Sequence, residues 1–187
     1  MDSFLLPLIA TFLISLGGRD QLLVARLAQQ LGPSRAMLLV AIAVSCLTAA
    51  VMAFSGHFIA SLLPAKAKAM LVAFALGAAA IELAWPVKPA KPSEPTRSLG
   101  AFALVLVYRQ VGDAARFAIF AFAAATALAP MAGVGGTMGG AAAMFLGWSL
   151  GDQIERRLPL RGLRIALAFL LAIAASVIAL SALGIIF

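Results

Sequence analysis

Long apolar runs with few charges are the feature that most constrains the fold of this 187-residue chain. Each run approaches the roughly 20 residues that a helix needs to cross about 30 Å of bilayer hydrocarbon. Hydrophobic residues make up 64% of the chain and charged residues 11%, against about half and about a quarter in soluble domains. Since a helix satisfies its own backbone inside lipid, we expect an all-α integral membrane protein.

Six segments are expected to cross the membrane as helices. They cover residues 4–31, 36–54, 69–85, 99–128, a fifth stretch that ends near residue 150, and 163–187. Residues 55–68, with Pro64, are expected to form a loop, residues 129–133 a tight turn, and residues 151–162 a charged loop. The glycines between residues 133 and 151 recur at a spacing of four, which favours close helix packing over a phosphate-binding loop.

A stretch rich in proline and lysine, residues 86–98, divides the chain into two parts. Its prolines and charges are incompatible with a helix in lipid. We therefore predict a first three-helix repeat over residues 1–85, a cytoplasmic linker over 86–98, and a second three-helix repeat over 99–187.

The two parts align without a gap when the chain is shifted by 95 positions. Gly17 then falls on Gly112, and Leu63-Pro64 falls on Leu158-Pro159. Because each half has three spans, the second half would enter the membrane from the opposite side. This pattern predicts an inverted-topology repeat, which is common among secondary transporters.

Basic residues set the expected orientation. Most of them lie in the first, third and fifth loops: Arg35, Lys88, Lys91, Arg97, Arg156, Arg157 and Arg161, with Arg164 at the edge. The positive-inside rule then leaves both termini outside, in what we take to be a bacterial inner membrane. The net charge of +7 is read as contact with lipid headgroups, and no nucleic acid partner is expected.

Polar residues interrupt spans one and four at equivalent depths. Ionisable groups in a membrane are costly and mark function by default, so these interruptions form the candidate ion or proton site. The candidate ligands are Asp20, Gln21, Gln110 and Asp113, the candidate counter-charges Arg19, Arg109 and Arg116, and the candidate hinge glycines Gly17, Gly18 and Gly112. The alternative is a structural ion-pair cluster, for instance Arg19 with Asp113. Glu82 is expected at the membrane interface.

These two interruptions resemble a known sequence motif. The chain is similar to the bacterial and Golgi calcium/manganese–proton antiporters, six-span proteins with two copies of Glu-x-Gly-Asp-Lys/Arg-Ser/Thr. Residues 15–22 and 110–115 line up with the two copies. The resemblance implies that the motifs face each other near the midplane and exchange a divalent cation for protons. It also makes Ser15 a neutral ligand and makes Asp113 and Gln110 metal ligands.

The chain departs from that motif in its charges. Ser15 and Gln110 stand in place of the glutamates, Gly18 stands in place of the first aspartate, and Asp20 stands where the family has a hydroxyl. Two acids then face three arginines, a net of plus one that opposes binding of a divalent cation.

Three functions remain open at this point. The first is a proton-coupled transporter of Mn²⁺ or Ca²⁺. The alternatives are a transport-inactive relative that serves as a membrane partner or regulatory subunit, and a transporter with a changed, possibly anionic, substrate. No cluster of catalytic residues indicates an enzyme, and no cofactor is expected. The expected surroundings are the lipid bilayer and either further copies of the chain or a partner membrane protein.

Overall fold

The computed structural model describes residues 2–86, 98–126, 128–151, 153–154 and 158–186. Within these residues the protein is all-helical. Its main helices are α1 (Asp2–Ser15), α2 (Arg19–Leu31), α3 (Arg35–Ser61), α4 (Ala65–Ala84), α5 (Leu99–Val111), α6 (Ala114–Ala125), α7 (Ala129–Leu150) and α8 (Leu160–Ala182). The predicted linker lies almost entirely outside the described residues, as do Arg156 and Arg157.

The first and fourth predicted spans are both broken helices. α1 and α2 meet at an angle of 61°. Gly17 at this break has φ +71°, a left-handed conformation that glycine adopts without steric cost. α5 and α6 are separated by Gly112 and Asp113, and the Asp113 side chain caps α6 by accepting a hydrogen bond from the Ala115 N–H. The sequence therefore located both interruptions correctly.

Two of the predicted loops are wrong. α3 continues to Ser61, and α4 begins at Ala65, so most of the predicted 55–68 loop is helical. Residues 55–61 contain no proline, and Pro64 caps the next helix rather than extending a loop. The predicted turn at 129–133 is the first turn of α7, because Pro130 lies at a helix start, where its missing N–H costs nothing.

In the described part of the chain, three helices, α3, α4 and α8, are long and apolar enough to cross a membrane. The bent pair α1–α2 meets the same criterion when its two helices are counted as one span. α5 and α6 are apolar but shorter. An all-helical chain with long apolar helices is thus confirmed in the described part. Six crossings remain a prediction.

The helix boundaries and the packing both follow the 95-residue offset. α2 begins at Arg19 and α6 at Ala114, while α4 begins at Ala65 and α8 at Leu160. The packing partners exchange in the same way: α1 and α2 pack on α7, and α5 and α6 pack on α3. The two halves therefore interlock, and each broken helix lies against a long helix of the other half.

Glycines on α7 allow this close packing. A Cβ at Gly135 would overlap the Phe4 carbonyl of α1, and a Cβ at Gly139 would overlap the Leu8 carbonyl. The prediction that the glycine-rich stretch serves helix packing is confirmed. α1 also packs on α6, which brings the two helix breaks together inside the bundle.

Candidate functional site

Two carboxylates from the two broken helices meet inside the protein. Asp20 lies in the first turn of α2 and is 1% exposed, and Asp113 precedes α6 and is 4% exposed. A Cβ built on Gly18 would lie 2.8 Å from Asp20 Oδ1 and 3.8 Å from Asp113 Oδ1. The same point is 3.1 Å from the Ser15 carbonyl oxygen. The two acids therefore face each other across the missing side chain of Gly18.

A chain of hydrogen bonds connects the carboxylate of Asp20 to helix α3. Gln110 Nε2 donates to Asp20 Oδ2 over 3.1 Å, and Thr48 Oγ1 donates to Gln110 Oε1 over 2.7 Å. Thr48 Oγ1 in turn accepts from Arg116 Nε at 3.0 Å. Arg116 Nη2 also donates to Ser45 Oγ at 3.0 Å. This network holds both amide atoms of Gln110 and fixes the Arg116 side chain.

Arg116 is the positive charge of the site. Its side chain is fully buried, and its Nη1 lies 4.0 Å from Asp113 Oδ2. Nη1 is 3.7 Å from the position of a Cβ on Gly140, so α7 packs against the guanidinium at a residue that has no side chain. Nη1 has no hydrogen-bond partner in the described part of the chain. The guanidinium thus presents one free N–H edge toward the acids.

Gln21 and Ser15 differ in their hydrogen bonding. Gln21 accepts the Gly17 N–H at 2.8 Å and donates to the Ala143 carbonyl at 2.8 Å, so its amide stabilises the helix break. Ser15 is fully buried, and its hydroxyl oxygen is without a partner among the described residues. Of these two candidate ligands, only Ser15 has a free polar atom.

The other two candidate counter-charges lie outside the acid pair. The Arg19 side chain is 48% exposed, and its Nη2 pairs with Glu82 Oε1 at 3.2 Å. Arg109 Nη1 donates to the Arg19 carbonyl at 2.9 Å. Arg19 therefore does not form the suggested pair with Asp113. Of the candidate charges counted from the sequence, only Asp20, Asp113 and Arg116 are buried, and their charges sum to minus one rather than plus one.

Glu82, predicted to lie at the membrane interface, is buried within the protein in an ion pair. It is 8% exposed, and its Oε2 pairs with Arg164 Nη2 at 3.0 Å. Arg164 Nη2 also donates to the Glu82 carbonyl at 3.3 Å, and its side chain is nearly fully buried. Sequence reasoning missed this pair, although a lone charge within each of two apolar spans was a usable signal.

Sequence reasoning also missed the hydroxyls of Ser45 and Thr48. They lie three residues apart on α3, a spacing that puts two side chains on one face of a helix. Both hydroxyls are buried, and both bind Arg116. A pair of hydroxyls at this spacing in an otherwise apolar span could have indicated a polar partner.

Both predicted metal ligands, Asp113 and Gln110, are buried, and their binding of a metal stays a prediction. The Gln110 carbonyl oxygen accepts from Thr48, and its amide nitrogen donates to Asp20, so the side chain is held at both ends. No group of three or more His, Cys, Asp or Glu side chains able to hold a metal occurs in the described ranges. Asp113 Oδ1, Asp20 Oδ1 and the Ser15 carbonyl are the oxygens that converge on the space beside Gly18.

An open groove on the surface contains the Arg19–Glu82 ion pair. It has a volume of about 380 Å³ and is lined by Arg19, Ala78, Ile81, Glu82 and Trp85. Both members of the Arg19–Glu82 pair line this groove.

Comparisons with known proteins neither identify nor exclude a family. No family model, no curated protein and no solved structure matches the chain. The similarity to the calcium/manganese–proton antiporters therefore stays a prediction that rests on the two motif-like segments.

Proposed function

We propose that this protein is a secondary transporter that exchanges cations for protons across a membrane. It would cross the membrane six times as two inverted three-helix repeats, with Asp20 and Asp113 as the ion and proton site. The cations expected from the resemblance are Mn²⁺ and Ca²⁺. The proposed setting is a bacterial inner membrane with both termini outside, as a single chain, a homo-oligomer or with a partner membrane protein.

The observation that carries the proposal is the buried meeting of Asp20 and Asp113 at two helix breaks. Two carboxylates that converge on one small space repel each other unless a cation or a proton lies between them. Carboxylate and carbonyl oxygens are also the ligands that hard cations prefer. Discontinuous helices at a repeat interface are where secondary transporters bind their substrates.

The helix breaks also supply the freedom that transport needs. The described site is closed, since Asp20, Asp113 and Gln110 are all buried. Alternating access would open it to one side at a time by rocking α1–α2 against α5–α6 about Gly17, Gly18 and Gly112. The interlocked packing, in which each broken helix lies on the other half's long helix, suits such a motion.

A flux assay tests the proposal. Purified protein in liposomes should take up cations against an imposed pH gradient, and Asp113→Asn should abolish that uptake because it removes one of the two charges of the site. Glu94→Gln, in the proline-rich linker, is the control and should transport normally. Absence of flux for Mn²⁺, Ca²⁺ and monovalent cations, from protein that unfolds cooperatively, would refute transport.

A labelling experiment tests the inverted repeat. Lys66 and Arg161 are exposed residues, each the second residue of its helix, and they are 95 positions apart. In a Cys46→Ser background, Lys66→Cys should react with an impermeant maleimide on intact cells and Arg161→Cys should not. Labelling of both from the same side would rule out inverted halves.

A transport-inactive membrane partner is the second candidate. It is favoured by the fixed state of the polar network, in which Thr48, Gln110 and Arg116 are joined by hydrogen bonds as in a structural core. In that case Asp113→Asn would change stability without any flux to lose. An anionic substrate has less support, because Arg19 and Arg109 lie outside the acid pair.

A further inference from the structure

We propose that the site binds one monovalent cation in each cycle and exchanges it for one proton, rather than binding a divalent cation. This inference rests on the transport function proposed above and narrows its substrate class. The inference is based on the charged side chains that the fold places around Gly18.

The buried charges add up to minus one. Asp20 and Asp113 each contribute one negative charge, and Arg116 contributes one positive charge. All three side chains are at most 4% exposed, so water screens them little. One monovalent cation, or one proton, makes the site neutral, whereas a divalent cation would leave one uncompensated positive charge in a dry interior.

Two hydrogen bonds hold the charge of Arg116 beside the acid pair. Thr48 binds its Nε at 3.0 Å and Ser45 binds its Nη2 at 3.0 Å. A guanidinium also keeps its proton in proteins, so the charge is permanent. The free Nη1, 4.0 Å from Asp113 Oδ2, already occupies one side of that carboxylate. Arg116 thus compensates one of the two negative charges, which leaves one for a bound cation.

The neighbouring helices add no net negative charge to the described site. α7 has no charged residue, and α3 has only Arg35 and His57, both exposed near its ends. The acid of α4, Glu82, is neutralised by Arg164 of α8 and also contacts Arg19. Arg109 of α5 adds a positive charge at the edge. Among the described residues, the charges on these helices outside the acid pair sum to a positive value, which disfavours a doubly charged ion.

The oxygens beside Gly18 suit a small, singly charged ion. Asp20 Oδ1, Asp113 Oδ1 and the Ser15 carbonyl converge there, and the Ser15 hydroxyl is buried without a described partner. Exchange of one such ion for one proton leaves the charge of the site unchanged. The transport cycle should then be electroneutral, and its rate should be independent of the membrane potential.

The test compares Na⁺, Li⁺ and K⁺ with Mn²⁺ and Ca²⁺, each supplied alone to proteoliposomes with an imposed pH gradient. We expect at least one monovalent ion to exchange ten times faster than either divalent ion. That rate should not change when the potential is set with valinomycin and potassium, in experiments where K⁺ is not the substrate. Faster divalent exchange by the wild-type protein would overturn this inference and leave proton-coupled transport standing.

A pair of variants isolates the role of Arg116. Arg116→Gln removes the charge but keeps hydrogen-bond donors for Thr48 and Ser45, and it should raise the ratio of divalent to monovalent flux at least tenfold. Arg116→Lys keeps the charge and should keep the wild-type preference. An unchanged ratio in a folded Arg116→Gln protein would overturn the inference. If Arg116→Gln does not fold, the wild-type ion preference and voltage independence decide the question. Absence of flux for all five ions refutes the transport function itself.

Discussion

Replacing Glu82 with glutamine should destabilise the protein by about 3–5 kcal/mol, the usual effect of removing one partner of a buried ion pair. Arg164 lies almost fully inside the bundle, and Glu82 supplies its paired oxygen at 3.0 Å. The Arg164 Nε and Nη1 atoms have no other partner among the described residues. Without the Glu82 charge, a permanent positive charge would remain buried and uncompensated.

Arg19 provides a matched control, because it binds the other oxygen of the same carboxylate. The Arg19 side chain is 48% exposed and pairs at 3.2 Å, so solvent screens this pair. Arg19→Gln should therefore cost only about 0–1 kcal/mol. Glu82→Gln breaks both pairs and Arg19→Gln breaks only the exposed one, so the difference between their losses gives the contribution of the buried pair.

A double variant tests whether charge is the cause. Glu82→Gln combined with Arg164→Met removes both charges and should recover most of the lost stability, since apolar replacements of buried pairs are often neutral. Unfolding in detergent, followed by circular dichroism during denaturant titration, measures all four proteins. Equal losses for Arg19→Gln and Glu82→Gln, or no recovery in the double variant, would refute the reasoning.

Three further predictions concern the helix contacts and the polar network, and each is measured by the same unfolding assay. Gly139→Ala should cost about 1–3 kcal/mol because its Cβ would overlap the backbone of α1, whereas Gly77→Ala, with nothing within 4 Å, should be neutral or stabilising by up to about 1 kcal/mol. Thr48→Val should cost about 1–3 kcal/mol, because it leaves a buried amide oxygen and a guanidinium N–H unpaired. Thr48→Ser keeps the hydroxyl and should keep most of the wild-type stability. Gly17→Ala should cost about 1–2 kcal/mol, since φ is +71° there; an unchanged midpoint would contradict the observed break.

The sequence predicted the helical class and the two helix breaks because those features depend on local composition. Long apolar runs favour helices in lipid whatever they pack against. Glycines beside charged residues within such a run indicate where the helix stops. The ends of loops were harder to predict, since proline both ends helices and starts them. Pro64 and Pro130 each lie at the start of a helix.

Residue spacing alone could not predict which charged side chains contact one another. Arg109 and Asp113 are four residues apart, a spacing that puts two side chains on one face of a continuous helix. The helix is broken between them, because α5 ends at Val111 and α6 begins at Ala114. Beyond that break the two residues no longer share a face. Arg116 follows Asp113 by three residues across the start of α6, and this pair does stay together. Glu82 and Arg164 come from different halves, so only the tertiary packing reveals their contact.

The site breaks the symmetry of the repeat that builds it. At the 95-residue offset, Gly18 corresponds to Asp113, and Gln21 corresponds to Arg116. An acid at position 18, as in the antiporter motif, would force the Asp20 carboxylate to move, since a Cβ there lies 2.8 Å from Asp20 Oδ1. Gly18 therefore makes the room in which the acids of both halves meet, and Arg116 supplies a charge that Gln21 does not. The two repeats contribute unequal parts to one site, and this inequality sets its net charge at minus one.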